Sequence, residues 1–222
     1  MSKKQTEQAP IAVDEVLSKS EAFVLKYKTP ILGAILAIVI FVVGGIVYNK
    51  YVAEPAEKEA AEALFPAQTL FNAGSFKEAL DGDGANLGFI AIAEEYSSTK
   101  SGNLANAYAG LCLAQLERYE EAIPYLKSFD GDDQMVGPAV LGTLGNCLAQ
   151  TGDINGAISK FIDAAEAADN NTISPYYLMQ AALMYEQESN SNKALKLYEQ
   201  IKADYPTSLQ AVDIEKYINR VK

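Results

Sequence analysis

The chain has 222 residues, enough for one or two domains, and 49 % of them are hydrophobic. It carries 18 Lys and Arg against 29 Asp and Glu, a net charge of −11, and no His. Lack of His excludes the usual general base, His-based triads and most catalytic zinc arrangements, and the acidic balance excludes a phosphate-backbone partner, so no nucleic acid is expected.

Residues 1–10 are polar and read as disordered. Residues 11–28 place Val13, Val16, Leu17, Val24 and Tyr27 near one face at helical spacing. Two readings stay open for this leader, residues 1–29: an amphipathic helix beside a membrane, or a frayed segment leading into an anchor. The next 19 residues, 30–48, read PILGAILAIVIFVVGGIVY and carry no charge. At about 1.5 Å per residue they span roughly 28 Å, close to the hydrocarbon thickness of a bilayer. A transmembrane helix is expected here, in contact with lipid along residues 30–48. A cleaved signal peptide fits less well, because the block is long and no A-x-A site follows it. Five Lys precede the block within residues 1–29, whereas only Lys50 and Lys58 follow it within residues 49–68. That bias puts the N-terminus in the cytoplasm and the C-terminal part across the membrane. Tyr27, Tyr48 and Tyr51 fall where an aromatic belt would lie.

Residues 49–63 are rich in Ala and Glu and read as a helical stalk with Pro55 as its kink point. Residues 49–222 hold 13 basic and 25 acidic residues, a charge that serves solubility. From residue 64 onward no alternating strand pattern occurs, so the fold class is all-α. Apolar residues recur at three and four, between turns at Gly74-Ser75, Gly152-Asp153 and Ser189-Asn190. Three segments align. Ala122, Ala157 and Ala194 each open a second helix, at intervals of 35 and 37, with Leu126, Phe161 and Tyr198 four residues on. Gly110, Gly145 and Ala182 sit in the preceding helices, since two antiparallel helices approach closely where a small residue faces a large one. A degenerate fourth unit around Ala79 precedes them and breaks at DGDGANLG. A last helix, about residues 209–221, groups Leu209, Val212, Tyr217, Ile218 and Val221 as a cap.

These units resemble tetratricopeptide repeats, by Leu144, Gly110, Gly145, the three spaced alanines and Pro206. The Trp usual in that pattern is absent from the chain. The fold expected is one N-terminal transmembrane helix followed by a tetratricopeptide-type helical-hairpin solenoid over residues 64–222. The whole plan, leader, anchor, stalk and divergent repeats, is similar to the YfgM-like ancillary subunits of the bacterial SecYEG translocon. The resemblance implies an inner-membrane location, a periplasmic C-terminal domain and a non-catalytic role in protein export or folding. Its implied partners are SecYEG, a membrane-anchored periplasmic chaperone or exported clients. A structural scaffold for cell-envelope assembly is the alternative.

Groove-facing positions carried over from the repeat include Ala107, Leu111, Gln115, Gly142, Asn146, Gln150, Met179, Leu183, Glu186 and Gln187, with Tyr176 flanking. Small, apolar and amide side chains suit a nonpolar helix or an unfolded segment. Core packing between units explains several of them equally well. The residues call for no metal and no cofactor. Asp81 to Asn86 lacks the sixth-position Gly and the terminal Glu of a calcium loop and reads as a turn, as does Ser128 to Asp133. Cys112 and Cys147 stand one repeat apart on successive first helices. Packed helix axes lie about 8–10 Å apart, beyond the reach of about 7 Å between bridged Cα atoms, which favours buried thiols over a disulfide.

Overall fold

The computed structural model describes residues 13–131 and 135–222, with side chains from Phe23 onward. The polar stretch 1–10 and the end of the turn at Ser128 to Asp133 fall outside the described residues. The chain divides into two compact units, one ending at Glu54 and the other covering Pro55–Lys222. Every element among the described residues is helical.

The described residues of the first unit open with one long helix, α1 (Val13–Tyr48), 36 residues long with Pro30 inside it. The described part of the leader, 13–29, therefore runs without a break into the apolar block as one helix. Ile35, Phe41 and Ile46 are 52 %, 84 % and 61 % exposed, so no face of the block is covered. It is the one described helix long and apolar enough to cross a membrane. A wide π turn, Asn49–Ala53, follows, and the Glu54 N–H reaches back to the Asn49 carbonyl. Pro55 explains the turn, because its ring crowds the carbonyl four residues earlier and it offers no N–H.

In the second unit α2 (Glu54–Asn72) is not a free stalk. Ala60 and Ala67 are fully buried and Leu64 nearly so. Glu57 accepts from the Lys100 and Ser101 N–H groups at 2.6 and 3.1 Å and from the Ser101 hydroxyl at 2.7 Å. Those donors open α5 (Lys100–Gln115). Thr99 Oγ1 accepts from the Gly102 N–H at 2.9 Å, so the orphan donors of the first turn are satisfied by two caps. The repeat domain thus begins at the start of α2 and not at residue 64. Between α2 and α5 lie α3 (Phe76–Asp81) and α4 (Phe89–Glu95), two short helices that together replace one second helix. Phe71, Phe76, Phe89 and Tyr108 pack edge-on or stacked at the centre of this first layer.

Three regular hairpins follow: α5 with α6 (Tyr119–Ser128), α7 (Val136–Gln150) with α8 (Ile154–Ala168), and α9 (Ser174–Gln187) with α10 (Ser191–Asp204). These three hairpins and the α2–α3 pair all turn in the same way. A residue with positive φ stands at Gly74, Glu117, Gly152 and Ser189. It and its successor donate back to the carbonyls three and five residues earlier, as in Gly152 to Ala149 and Asp153 to Leu148, the Schellman closure of a helix C-terminus. This fixed turn brings Ala79, Ala122, Ala157 and Ala194 to the fourth residue of each second helix, all fully buried. A Cβ on Gly110 would lie 2.5 Å from Leu126, and one on Gly145 would lie 3.0 Å from the Phe161 ring. Small thus faces large across each hairpin.

The C-terminal cap differs from the expectation. A 3₁₀ turn, Leu209–Ala211, precedes α11 (Ile214–Val221). Ile214 and Ile218 are buried, whereas Leu209 and Val212 are 82 % and 76 % exposed. The 3₁₀ turn resets the helical period, which rotates those two side chains away from the core.

Candidate functional site: a polar cleft at the ends of α5 and α7

Successive first helices end side by side, and between the ends of α5 and α7 lies an open cleft of about 270 Å³. Ala114, Gln115, Tyr119, Thr143, Asn146, Cys147 and Gln150 line it. The Schellman turn at Glu117 carries Tyr119, the first residue of α6, to its wall. Gln115, Asn146 and Gln150 are exposed. No lining residue carries a charge at neutral pH, in a chain with net charge −11.

The repeat period explains the lining. Gln115, Gln150 and Gln187 occupy the same last position of α5, α7 and α9, 35 and 37 residues apart, and all three are exposed. They form a row of amides along the array. Each amide offers two donors and an acceptor, which suits the alternating N–H and C=O groups of a polypeptide backbone. Cys147 forms the buried floor, and burial pushes its thiol up to about 11. Burial likewise pushes Cys112 up to about 12. Both thiols are free and, with such values, hold little of the reactive thiolate at neutral pH.

Other expected groove residues lie elsewhere. Ala107 and Gly142 are buried. The Tyr177 ring occupies the space a Gly142 Cβ would take, at 2.2 Å, so this position is a contact between α7 and α9. Met179, 8 % exposed, is core beside Leu178, Ala182 and Tyr198. Its burial in the cluster that α8, α9, α10 and α11 share leaves it unavailable to a ligand. Leu111 and Leu183 are half-buried, and Leu183 packs on the same core. Glu186 is a tie between elements: it accepts from the Tyr198 hydroxyl at 2.5 Å and from Arg220 at 2.7 Å. Burial raises its pKa, yet the hydrogen bonds from Arg220 and Tyr198 outweigh this and hold it below the ordinary value. Tyr176 lies at the far end of α9, edge-on to Tyr177, away from the cleft. Sequence alone does not point to Tyr119 or Thr143. No Gly marks the turn before Tyr119, and Thr143 reads as one more small helix residue. Among the described residues, no group of three or more His, Cys, Asp or Glu is placed to hold a metal. Asp83 instead caps its own loop through the Ala85 and Asn86 N–H groups.

Solved structures share this architecture. A kinesin light chain TPR-like repeat array of Podosopora anserina, described as nearly identical repeats, superposes with a TM-score of 0.55 at 12 % identity, covering 74 % of this chain and 86 % of that one. A single-substitution variant of that array gives the same TM-score and identity, covering 74 % and 85 %. YrrB, a TPR protein with an unusual peptide-binding site, is 21 % identical, with a TM-score of 0.44 over 78 % of this chain and 97 % of that one. The fold is that of the tetratricopeptide repeat proteins, a helical-hairpin solenoid. No protein-family model matches the chain, and no curated protein matches it by sequence.

Proposed function

We propose that the chain is a membrane-anchored, non-catalytic scaffold that holds an extended stretch of another protein along the amide row of its cleft. The uncharged cleft within an acidic domain is the observation that carries this reading. Amides that donate and accept read a backbone and tolerate many side chains, which suits a client still unfolded. Residues 30–48 serve as the anchor, supported by an apolar helix with every face exposed. The bias of Lys toward residues 1–29 supports an N-terminus in the cytoplasm. By its resemblance to YfgM-like subunits, the domain assists protein export or periplasmic folding at the SecYEG translocon of the bacterial inner membrane.

A photoreactive residue in place of Asn146, expressed in intact cells, tests the proposal. The expected products are crosslinks to exported polypeptides, to SecYEG or to a membrane-anchored chaperone. Crosslinks only to envelope-assembly components would favour a structural scaffold instead. Protease added to spheroplasts is expected to digest residues 55–222, and full protection of that domain would overturn the orientation.

A further inference from the structure

The lining of the cleft between α5 and α7 is graded by burial. Gln115, Asn146 and Gln150 are exposed and form its rim, whereas Tyr119 and Thr143 are half-buried beside the buried Cys147. Among the described residues, neither the rim amides nor the Tyr119 and Thr143 hydroxyls have a hydrogen-bond partner within the chain. Thr69, Ser128 and Thr151 behave otherwise: each donates its hydroxyl to the carbonyl four residues earlier, at 2.9–3.0 Å. Asn170 and Asn190 likewise close their own turns. Thr143, inside α7, makes no such bond back to its helix, so its donor and acceptor sites stay free. The cleft measures about 270 Å³, below the roughly 300–1,000 Å³ of a site for a drug-sized ligand, which is the scale of one side chain. Two half-buried hydroxyls without partners decide which side chain that is. A charged one would lose water and find no counter-ion among the lining residues. An apolar one would displace the water on both hydroxyls without replacing its hydrogen bonds. A carboxamide donates and accepts, so one group satisfies both.

We infer that the inner part of the cleft, at Tyr119 and Thr143, seats one uncharged carboxamide side chain, Asn or Gln, of the bound segment. The seat rests on the reading of the cleft as a polypeptide site, and it adds a side-chain preference to the backbone contacts of the rim. Stretches with an Asn or Gln among uncharged neighbours are the clients it selects.

Fluorescent, unfolded Gly-Ala peptides that differ at one central guest position, Gln, Leu, Lys or Glu, test the inference when titrated into the full chain in nonionic detergent at about 0.15 M salt. The Gln guest is expected to bind about tenfold tighter than the other three, as two added hydrogen bonds allow. In Thr143→Val with Tyr119→Phe, which keeps both shapes and removes only the hydroxyls, the ratio of Gln-guest to Leu-guest affinity is expected to fall close to one. Equal affinity of the wild type for all four guests would overturn the seat. The backbone reading would survive that result if Asn146→Ala with Gln150→Ala still weakened every guest. Binding of no guest at all would overturn the seat and the backbone reading together. Tightest binding of the Leu, Lys or Glu guest would overturn the seat, as would a Gln preference that persists in the folded variant without the hydroxyls. The wild-type series alone decides the matter if that variant fails to fold.

Discussion

The first layer of the array and the regular hairpins use glycine in opposite ways. In the first layer, a Cβ on Gly88 would lie 2.3 Å from the Leu80 carbonyl oxygen, and at the start of α5, where the hairpins join that layer, one on Gly102 would lie 1.9 Å from the Tyr96 carbonyl oxygen. Between the paired helices of the hairpins, a Cβ on Gly110 or Gly145 would first meet a side chain, Leu126 at 2.5 Å or Phe161 at 3.0 Å, with the Leu126 backbone nitrogen 3.1 Å from the former. Backbone cannot step aside, whereas a side chain can change rotamer. The irregular layer, where α3 and α4 replace one helix, is therefore closed by contacts with no slack. The regular layers repeat a contact that tolerates drift in sequence. That difference explains how the repeat motif can diverge so far in α5–α10 and still stack.

Substitutions that add one methyl group probe this contrast. Gly102→Ala is expected to cost about 3 kcal/mol or more, read from urea unfolding of the full chain in detergent, because α5 must move off Tyr96 and away from the Glu57 cap. Gly110→Ala is expected to cost about 1–3 kcal/mol, as Leu126 is displaced. Gly145→Ala needs only a few tenths of an ångström from Phe161, and Ala gains up to about 1 kcal/mol over Gly in a helix interior. It is expected to fall within about 1 kcal/mol of the wild type. An equal loss at Gly102 and Gly145 would erase the distinction between the layers.

Acid sharpens the comparison at the other end of the array. Glu186 has a pKa below its ordinary value of 4.5 in the folded chain. Its contribution to stability is therefore complete above 4.5 and is lost as pH falls through the lower folded-state value. Glu186→Gln is expected to flatten the acid limb of the unfolding midpoint against pH and to loosen α11 first. An unchanged acid limb would show that the tie to Arg220 and Tyr198 contributes nothing.

A comparably small effect belongs to the turns. Ser189 holds a positive φ of 57° where Gly152 supplies the same turn without a side chain. Ser189→Gly is expected to stabilise the chain by roughly 1 kcal/mol, seen as a small rise in melting temperature.

Much of the array is legible in the sequence. The spacing of Ala122, Ala157 and Ala194 locates the hairpins, since a close helix crossing demands a small residue at one fixed position. The same period marks Gln115 and Gln150 as equivalents, and both line the cleft. The Ala- and Glu-rich stretch after the anchor is not legible in the same way, because a free stalk and a packed α2 share that composition. What distinguishes them is Glu57 capping Lys100, a contact 43 residues away in the chain. Met179 escapes for a related reason. Alignment within one repeat says which way a helix faces, but not that the last elements close a second core cluster around Met179. An unbroken period of about 3.6 assigns Leu209 and Val212 to the cap, and the 3₁₀ turn breaks that period.

The central claim is that the amide row holds a polypeptide backbone, and equilibrium binding tests it most directly. A fluorescent, permanently unfolded polypeptide is titrated into the full chain in nonionic detergent, wild type against Asn146→Ala with Gln150→Ala. Both side chains are exposed, so melting temperature is expected to hold. Loss of two amide partners at about 0.5–1.5 kcal/mol each predicts an affinity about tenfold weaker. Raising salt is expected to change it little, since no charge lines the cleft. Unchanged affinity in the double variant would contradict the account.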